Sequence, residues 1–189
     1  MNIRAKDHPC YKRTTADPIT LVPVGIVRSP LKEPTLQAGD DGLARQVRMP
    51  QEETAYREKL ESSVSEIVLA EELSGILDGI EGFSHLLVLY WPHLVAAERR
   101  NLVKVHPKGR QDIPRQGIFA TCSPARPNPV LVTAVRLVQR IGNVLRVQGL
   151  EAVDGSPVVD IKPYNPRYYR VETPVVPEWM NKLQREVSD

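Results

Sequence analysis

Prolines interrupt this chain at short intervals: 17 of them are scattered over 189 residues, together with 11 glycines. A proline fixes its own φ and removes a backbone hydrogen-bond donor, so it ends or kinks a helix. Long helices are therefore excluded from most of the chain. The exception is the segment PQEETAYREKLESS from Pro50, whose strong helix formers predict a short exposed helix.

Short runs of β-branched and aliphatic residues alternate with turn signals roughly every ten residues. Residues 85–91 are almost all apolar, which predicts a strand buried on both faces. Residues 130–138 and 144–150 flank Gly142-Asn143, a dipeptide that favours a tight hairpin turn. Such a pattern is typical of a barrel or sandwich. We predict a mostly β chain, an antiparallel β-barrel with short helices.

One domain is expected, because 189 residues with 41% apolar content fill a single core but not a second large one. We expect a flexible N-terminal arm over residues 1–18, the barrel over 19–165, and a tail over 166–189 with a short helix. No stretch approaches the roughly 20 apolar residues that cross a bilayer, and the N-terminus lacks a signal-peptide core.

Two cysteines, Cys10 and Cys122, are neither a close pair nor a metal-spaced cluster, so we expect no metal and a reduced, cytoplasmic setting. The formal net charge of +2 excludes binding to nucleic acid through net charge alone. Basic residues concentrate in the second half, and they favour RNA binding only if they share one face. They are Lys108, Arg110, Arg115, Arg126, Arg136, Arg140, Arg146, Lys162, Arg167 and Arg170.

Two clusters of polar residues are candidate sites. In FATCSPARPNP, three prolines stiffen a loop that displays Thr121, Ser123, Arg126 and Asn128, and rigidity lowers the cost of binding a ligand. A structural crossover loop with a solvated Arg126 explains these residues equally well.

The second cluster, VDGSPVVDIKPY, places a turn that begins at Asp154 one short strand before Asp160, Lys162 and Tyr164. By itself, a hairpin followed by a surface Asp–Lys pair explains it better. Neither a glycine-rich dinucleotide fingerprint nor a Walker loop occurs in the sequence, so a doubly wound fold is not expected.

Five sequence blocks occur in order between about residues 24 and 164: GIVRSPLKE, GIEGFSHLLVLYW, HPKG, GIFATCSPARPNP and GLEAVDGSPVVDIKPY. Together they resemble the YaeB-like (TrmO) family of tRNA methyltransferases, whose best-known member methylates a hypermodified adenosine next to the anticodon. The resemblance implies a β-barrel methyltransferase unrelated to the doubly wound class. It also implies a homodimer that uses S-adenosylmethionine near the subunit interface.

Position by position, the resemblance assigns a set of residues to the cofactor: Asp41, Gly42, Leu43, His93, Leu94, Thr121, Cys122, Leu131, Asp154, Gly155 and Ser156. Asp160 or Tyr164 is the expected acceptor for the proton that an adenine nitrogen loses. The expected substrate-binding residues are Arg126, Asn128 and Lys162.

Two departures from the family pattern bear on the acceptor. Cys122 stands where the family usually has arginine, and Leu131 stands where it usually has glycine. Losing a guanidinium removes a bidentate anion contact. Beside a methyltransferase for tRNA adenosine, two alternatives therefore stay open: a non-catalytic cofactor-binding module, and a methyltransferase for another acceptor.

Overall fold

The computed structural model describes residues 19–34, 36–39, 42–45 and 50–188. The strands are β1 (Gly25–Arg28), β2 (Leu36–Gly39), β3 (Gly42–Arg45), β4 (Val64–Leu69), β5 (His85–Tyr90), β6 (Lys104–Val105), β7 (Gln116–Gly117), β8 (Leu131–Ile141), β9 (Val144–Gln148) and β10 (Pro157–Pro163). The α-helices are α1 (Pro50–Ser62), α2 (Pro166–Tyr169) and α3 (Glu178–Ser188). Short 3-10 helices occupy Glu71–Leu77, Ile80–Gly82, Ala97–Asn101, Pro107–Gly109 and Ile118–Ala120.

Within the described residues, six strands close into an antiparallel barrel in the order β1-β10-β5-β8-β9-β4 and back to β1. β1 closes the ring, because Gly25 pairs with Val158 of β10 on one side and with Leu69 of β4 on the other. A Cβ at Gly25 would lie 2.4 Å from the Val68 carbonyl oxygen, so this close pairing requires glycine. The prediction of a mostly β antiparallel barrel is confirmed.

The hydrophobic core fills the barrel. In β5, Leu86, Val88 and Tyr90 are buried, whereas His85 is exposed and the two leucines between them are half-buried. The prediction that this strand is buried on both faces is wrong. A closed barrel places one face of every strand inside and the other face outside, so even a nearly continuous apolar run is buried on one side only.

The two ends of the barrel differ. At the first, which we call the upper end, β5 ends at Tyr90, β8 begins at Leu131 and β10 begins at Pro157. The lower end is covered by the 3-10 helices between residues 71 and 82. Arg140 holds them there, since its guanidinium donates to the Leu77 carbonyl at 3.0 Å and pairs with Asp78 and Glu81.

Two helices lie outside the barrel and contact each other: α1, which leads into β4, and α3 near the end of the chain. The predicted helix after Pro50 and the predicted helix of the tail are both present. The predicted N-terminal arm, residues 1–18, lies outside the described residues. None of the helices in the described ranges is long and apolar enough to span a membrane.

Candidate functional site

The turn before β10 is fastened to the end of β1. The Gly155 N–H donates to the Val27 carbonyl at 2.8 Å, and the Asp154 N–H donates to the Leu31 carbonyl at 2.8 Å. Gly155 has φ of +77°, a left-handed conformation that favours glycine. The sequence DGS therefore forms a tight turn whose backbone determines the path of the segment after β1.

Asp154 strengthens this connection through its side chain. Its Oδ2 pairs with Nζ of Lys32 at 2.8 Å, and its Oδ1 accepts the Ser29 N–H at 2.9 Å. These two donors, Lys32 first, hold the pKa of the Asp154 carboxyl below its usual range. The carboxylate is therefore ionised and oriented, with lone pairs left for a further donor.

His93 lies against the same turn, and it is the third residue after the end of β5 at Tyr90. Its Nδ1 is 3.4 Å from Oγ of the buried Ser156, and its Nε2 would be 3.7 Å from a Cβ at Gly155. The structure thus brings His93 together with Gly155 and Ser156, as the resemblance implies.

The proline-rich loop before β8 is held by its own hydrogen bonds. The Arg126 guanidinium donates to the Ser123 carbonyl at 2.8 Å and to the Thr121 carbonyl. The buried Ser123 hydroxyl accepts the Ala125 N–H at 3.2 Å. Arg126 therefore stiffens the loop, and the loop presents Cys122 as an exposed free thiol. Asn128 is exposed farther along it.

Several of the predicted cofactor residues meet at one cleft of about 160 Å³ at the upper end of the barrel, which we call the upper cleft. Leu94 follows β5, Cys122 lies in the proline-rich loop and Leu131 begins β8, and all three line it. Leu31 and Val153 line it as well, and they lie beside the turn at Asp154. The Asp154–Ser156 turn and His93 therefore adjoin the upper cleft through their neighbours Val153 and Leu94, whereas Asp154 itself lines a separate opening of about 490 Å³ with Arg28, Lys32 and Arg146.

Two polar residues that line the upper cleft were not predicted. Tyr90 lies in its wall, and its hydroxyl donates to the Glu151 carbonyl at 2.6 Å. Burial raises the pKa of Tyr90 to about 12, so this phenol stays protonated. Glu151 is exposed and lines the same cleft. The sequence contained a signal for Tyr90, because it is a tyrosine at an inward-facing position of an otherwise aliphatic strand. It contained no signal for Glu151.

Two larger openings adjoin the upper cleft. The first, which we call the α3 cavity, has about 430 Å³ and lies between α3 and the Thr121–Pro124 loop; Thr121 and Cys122 line it. The second, the α1 groove, has about 670 Å³ and lies between α1 and the strands β8 and β9. Glu151 lines all three openings, so it marks their junction.

The remaining predicted cofactor residues belong to the β2–β3 hairpin. Gly42 and Leu43 lie in β3, which contacts the Pro107–Gly109 turn, and this turn contributes Pro107 and Lys108 to the α3 cavity. Asp41 lies outside the described residues. Within the described ranges, no group of three His, Cys, Asp or Glu side chains is placed to hold a metal ion.

The predicted catalytic residues do not line the upper cleft. Asp160 lies opposite Leu89, an outward-facing position of β5, and its Oδ2 pairs with Nζ of Lys162 at 2.6 Å. The Tyr164 N–H donates to the carbonyl of His85, at the lower end of β5, and its ring stacks on Tyr169. At about 3.4 Å per residue, five residues of strand separate His85 from Tyr90 by about 17 Å.

The basic residues of the second half do not share one face. Arg126 binds loop carbonyls, Arg140 pairs at the lower end and Lys162 pairs with Asp160. Arg110 pairs with Asp112 and Glu186. Lys108 and Arg136 both line the α1 groove, together with Arg57 and His85 and with the carboxylates of Glu61 and Glu151. Some basic side chains are thus grouped in this groove, with two acidic side chains among them, and the broad basic patch that the sequence left open is not formed.

Comparisons with known proteins agree with this architecture. The chain is 41% identical over 146 residues to the "Probable S-adenosyl-L-methionine-binding protein" of Methanothermobacter thermautotrophicus, covering 77% of this chain and 90% of that protein. It is 31% identical over 147 residues to the tRNA (adenine(37)-N6)-methyltransferase of Escherichia coli, covering 76% of this chain and 56% of the enzyme. The crystal structure of TrmO shares the fold, with a TM-score of 0.60 at 22% identity, over 86% of this chain and 62% of that chain.

The chain thus spans less than two thirds of the Escherichia coli enzyme and of the TrmO structure. Residues 44–169, most of the chain, match the family model described as the tRNA-methyltransferase O N-terminal domain. This range contains the barrel strands from β4 to β10 and every predicted site residue from His93 onward. The chain therefore belongs to the tRNA-methyltransferase O N-terminal domain family, as its sequence blocks indicate.

Proposed function

We propose that this chain transfers a methyl group from S-adenosylmethionine to an adenine of RNA, and that the upper cleft holds part of the cofactor. The observation that carries the proposal is that Leu94, Cys122 and Leu131, three residues assigned to the cofactor from separate segments of the sequence, line one cleft. The relatives support the same chemistry, because one is named for binding S-adenosylmethionine and another for methylating tRNA adenine.

The residues of the upper cleft fit this cofactor in kind. Leu31, Leu94 and Leu131 offer apolar contact to a flat ring, and the ionised Asp154, which precedes the turn beside the cleft and follows the lining residue Val153, is a hydrogen-bond acceptor for an amine or a ribose hydroxyl. Pockets that enclose drug-sized ligands usually measure about 300 to 1,000 Å³. A cleft of about 160 Å³ therefore accommodates only part of the molecule.

A second copy of the chain would complete this site. Val132 is 58% exposed, and it lies opposite Leu89 on the outer face of the barrel. Symmetric dimers bury such apolar strand surfaces. We therefore include in the proposal the homodimer that the resemblance implies. We also include a cytoplasmic location, where the protein would encounter an RNA acceptor.

When bound, S-adenosylmethionine would supply a methyl group on a sulfonium: the acceptor nitrogen would form a bond to the methyl carbon as the carbon–sulfur bond breaks, and the thioether would leave. The task of the protein is mainly to hold the acceptor in a near-attack position away from water. Arg126 holds the loop at Thr121–Ser123 through hydrogen bonds, and Lys32 holds the turn at Asp154 through an ion pair. Both segments are therefore rigid, as this task requires.

The nitrogen also loses a proton, and we assign its acceptance to Glu151. This carboxylate lines both the upper cleft and the α3 cavity, so it is exposed where cofactor and acceptor would meet. Asp160 is a weaker candidate because it faces outward and is paired with Lys162. Tyr164 lies at the opposite end of β5 from the upper cleft.

Two measurements together test the proposed function. Calorimetry with the purified protein should show binding of S-adenosylmethionine and of its demethylated product. Mass spectrometry of tRNA nucleosides should show a methylated adenosine that disappears in a strain lacking the protein and returns on complementation. Cofactor binding without any change in RNA methylation would identify a binding module instead of an enzyme, and absence of binding would refute the assignment altogether.

A further inference from the structure

The α3 cavity is built from two different parts of the chain. One wall is Trp179, Met180 and Leu183 of α3, and the other includes Thr121 and Cys122 of the proline-rich loop. α3 lies beyond residues 44–169, the range matched by the family model. α3 therefore lies outside the matched range and contributes one wall of a cavity beside the upper cleft.

The cavity opens toward the upper cleft, because Cys122, Pro124 and Glu151 line both. Its volume of about 430 Å³ is large enough for a ligand of nucleobase size with part of its sugar. A flat group in the cavity would have a partly buried indole at one side and the Glu151 carboxylate at the junction with the upper cleft.

Ion pairs hold the helical wall in place. Arg110 pairs with Glu186 of α3, and Nζ of Lys182 in α3 lies 2.9 Å from Oδ2 of Asp112. Leu183 is only 8% exposed, so the apolar face of the helix is packed. Ion pairs on one side of α3 and apolar packing on the other therefore hold the helix in place.

Basic side chains lie where the cavity meets the α1 groove. Arg57 and Lys108 line both the α3 cavity and the α1 groove, and the groove also contains Arg136 together with Glu61 and Glu151. Lys108 has φ of +52°, a left-handed conformation that is uncommon for lysine and that concentrates at functional sites. An anionic chain in the groove could thus direct one of its bases into the cavity.

We propose that the α3 cavity receives the unpaired purine base of the RNA acceptor, which stacks on Trp179, while Arg57, Lys108 and Arg136 contact the flanking phosphates. This inference rests on the proposed function, since an RNA acceptor supplies both the base and the phosphates. Stacking on an aromatic side chain contributes enough that its removal weakens RNA binding about 5- to 100-fold. Cofactor affinity should be unaffected, because Trp179 does not line the upper cleft.

Fluorescence of Trp179 tests the cavity without altering its wall. The chain has two tryptophans, so Trp91→Phe leaves Trp179 as the sole reporter. The probes are two RNA stem-loops, one with a single unpaired adenosine and one with an abasic residue at that position. The adenosine stem-loop should quench Trp179 and the abasic one should not. Failure of both stem-loops to bind, or equal quenching by both, would overturn the inference.

Affinity and methylation measurements separate this inference from the proposed function. Trp179→Ala should raise the Kd and KM for the adenosine stem-loop about 5- to 100-fold, and Trp179→Phe should retain most of the affinity. Tyr168→Ala is the control, because Tyr168 is an exposed aromatic residue of the same tail that does not line the cavity. If Trp179→Ala left methylation unchanged, the assignment of the acceptor base to the α3 cavity would be refuted, but the proposed methyltransferase function would not. Quenching that depends on the base, without methyl transfer, would support the cavity and refute the methyltransferase.

Discussion

Oδ2 of Asp154 lies 2.8 Å from Nζ of Lys32, and this ion pair joins the turn before β10 to the segment that follows β1. Leu31, the neighbour of Lys32, lines the upper cleft. The pair therefore positions one wall of the proposed cofactor site as well as closing a turn.

Asp154→Ala is expected to weaken S-adenosylmethionine binding about 2- to 10-fold, because it removes the hydrogen bonds that position Leu31 and an acceptor beside the upper cleft. Lys32→Ala should weaken binding less, since the bond from the Ser29 N–H to Asp154 remains. Calorimetric titration measures both constants. If Asp154→Ala bound the cofactor as tightly as the wild type does, the cofactor site would not include this turn.

The same carboxylate makes stability depend on pH. Its pKa is lowered in the folded protein, whereas an aspartate in the unfolded chain titrates at about 3.9. Its stabilising contribution is complete above that value and is lost as the pH falls through the lower folded pKa. Thermal unfolding between neutral and acidic pH should therefore show a shallower acid dependence for Asp154→Asn than for the wild type.

Glu151→Gln is expected to slow single-turnover methyl transfer at saturating cofactor about 100-fold, the lower range for removing a general base. Asp160→Asn is the matched control, because it neutralises a carboxylate that faces outward and pairs with Lys162. Quench-flow assays with saturating cofactor provide the rates. A larger loss of methyl-transfer rate in Asp160→Asn than in Glu151→Gln would identify Asp160 as the proton acceptor.

Cys122 reports on the upper cleft, because its exposed thiol lines both that cleft and the α3 cavity. In a Cys10→Ser background, S-adenosylmethionine at tenfold its Kd should slow alkylation of Cys122 by iodoacetamide about 10-fold, since only the free protein reacts. Mass spectrometry follows the modification. An unchanged alkylation rate at saturating cofactor would place the cofactor away from Cys122.

Acid should release α3 from the barrel. The Arg110 guanidinium, with the Lys182 ammonium, holds the pKa of Asp112 well below its usual range, and Arg110 lowers the pKa of Glu186. These pairs favour docking above about pH 4 and lose their effect as the pH falls through the lowered values.

In a Trp91→Phe background, Trp179 emission should therefore shift toward that of a solvated indole on acidification. Arg110→Gln should show part of this shift already at neutral pH and a smaller change with acid. Arg185→Gln is the control, because Arg185 pairs with Glu178 inside α3 and does not reach the barrel. A shift of equal size in the control would show that the pairs at Arg110 do not hold the helix.

Sedimentation should show a dimer at micromolar concentration, because the upper cleft encloses only part of the cofactor and Val132 exposes apolar surface on β8. Val132→Glu should weaken the dimer, since a charge at an apolar interface lacks a partner. Thr133→Ser, at the next position but facing inward opposite Val88, is the control. A monomer that binds the cofactor as tightly as the wild type would exclude a shared site.

Local signals in the sequence predicted local structure. The Gly142-Asn143 hairpin and the helix after Pro50 are present because turn and helix preferences act over a few residues. Glu151 and Trp179 could not be found in this way. Their places depend on how β9, α3 and the proline-rich loop meet in three dimensions. Asp160 is close to Asp154 in sequence, yet β10 turns its side chain to the outside of the barrel.

The ring of strands has a consequence for synthesis of the protein. β1 precedes the other barrel strands in the chain, but it closes the barrel only by pairing with β10, the last of them. Bringing distant segments together costs chain entropy and slows folding. Until β10 leaves the ribosome, β1 and β5 each lack a neighbouring strand, and the turn at Asp154 has no β1 segment to hold. The nascent chain therefore depends on protection of those open edges, and ligand binding can stabilise the domain only after its last strand is in place.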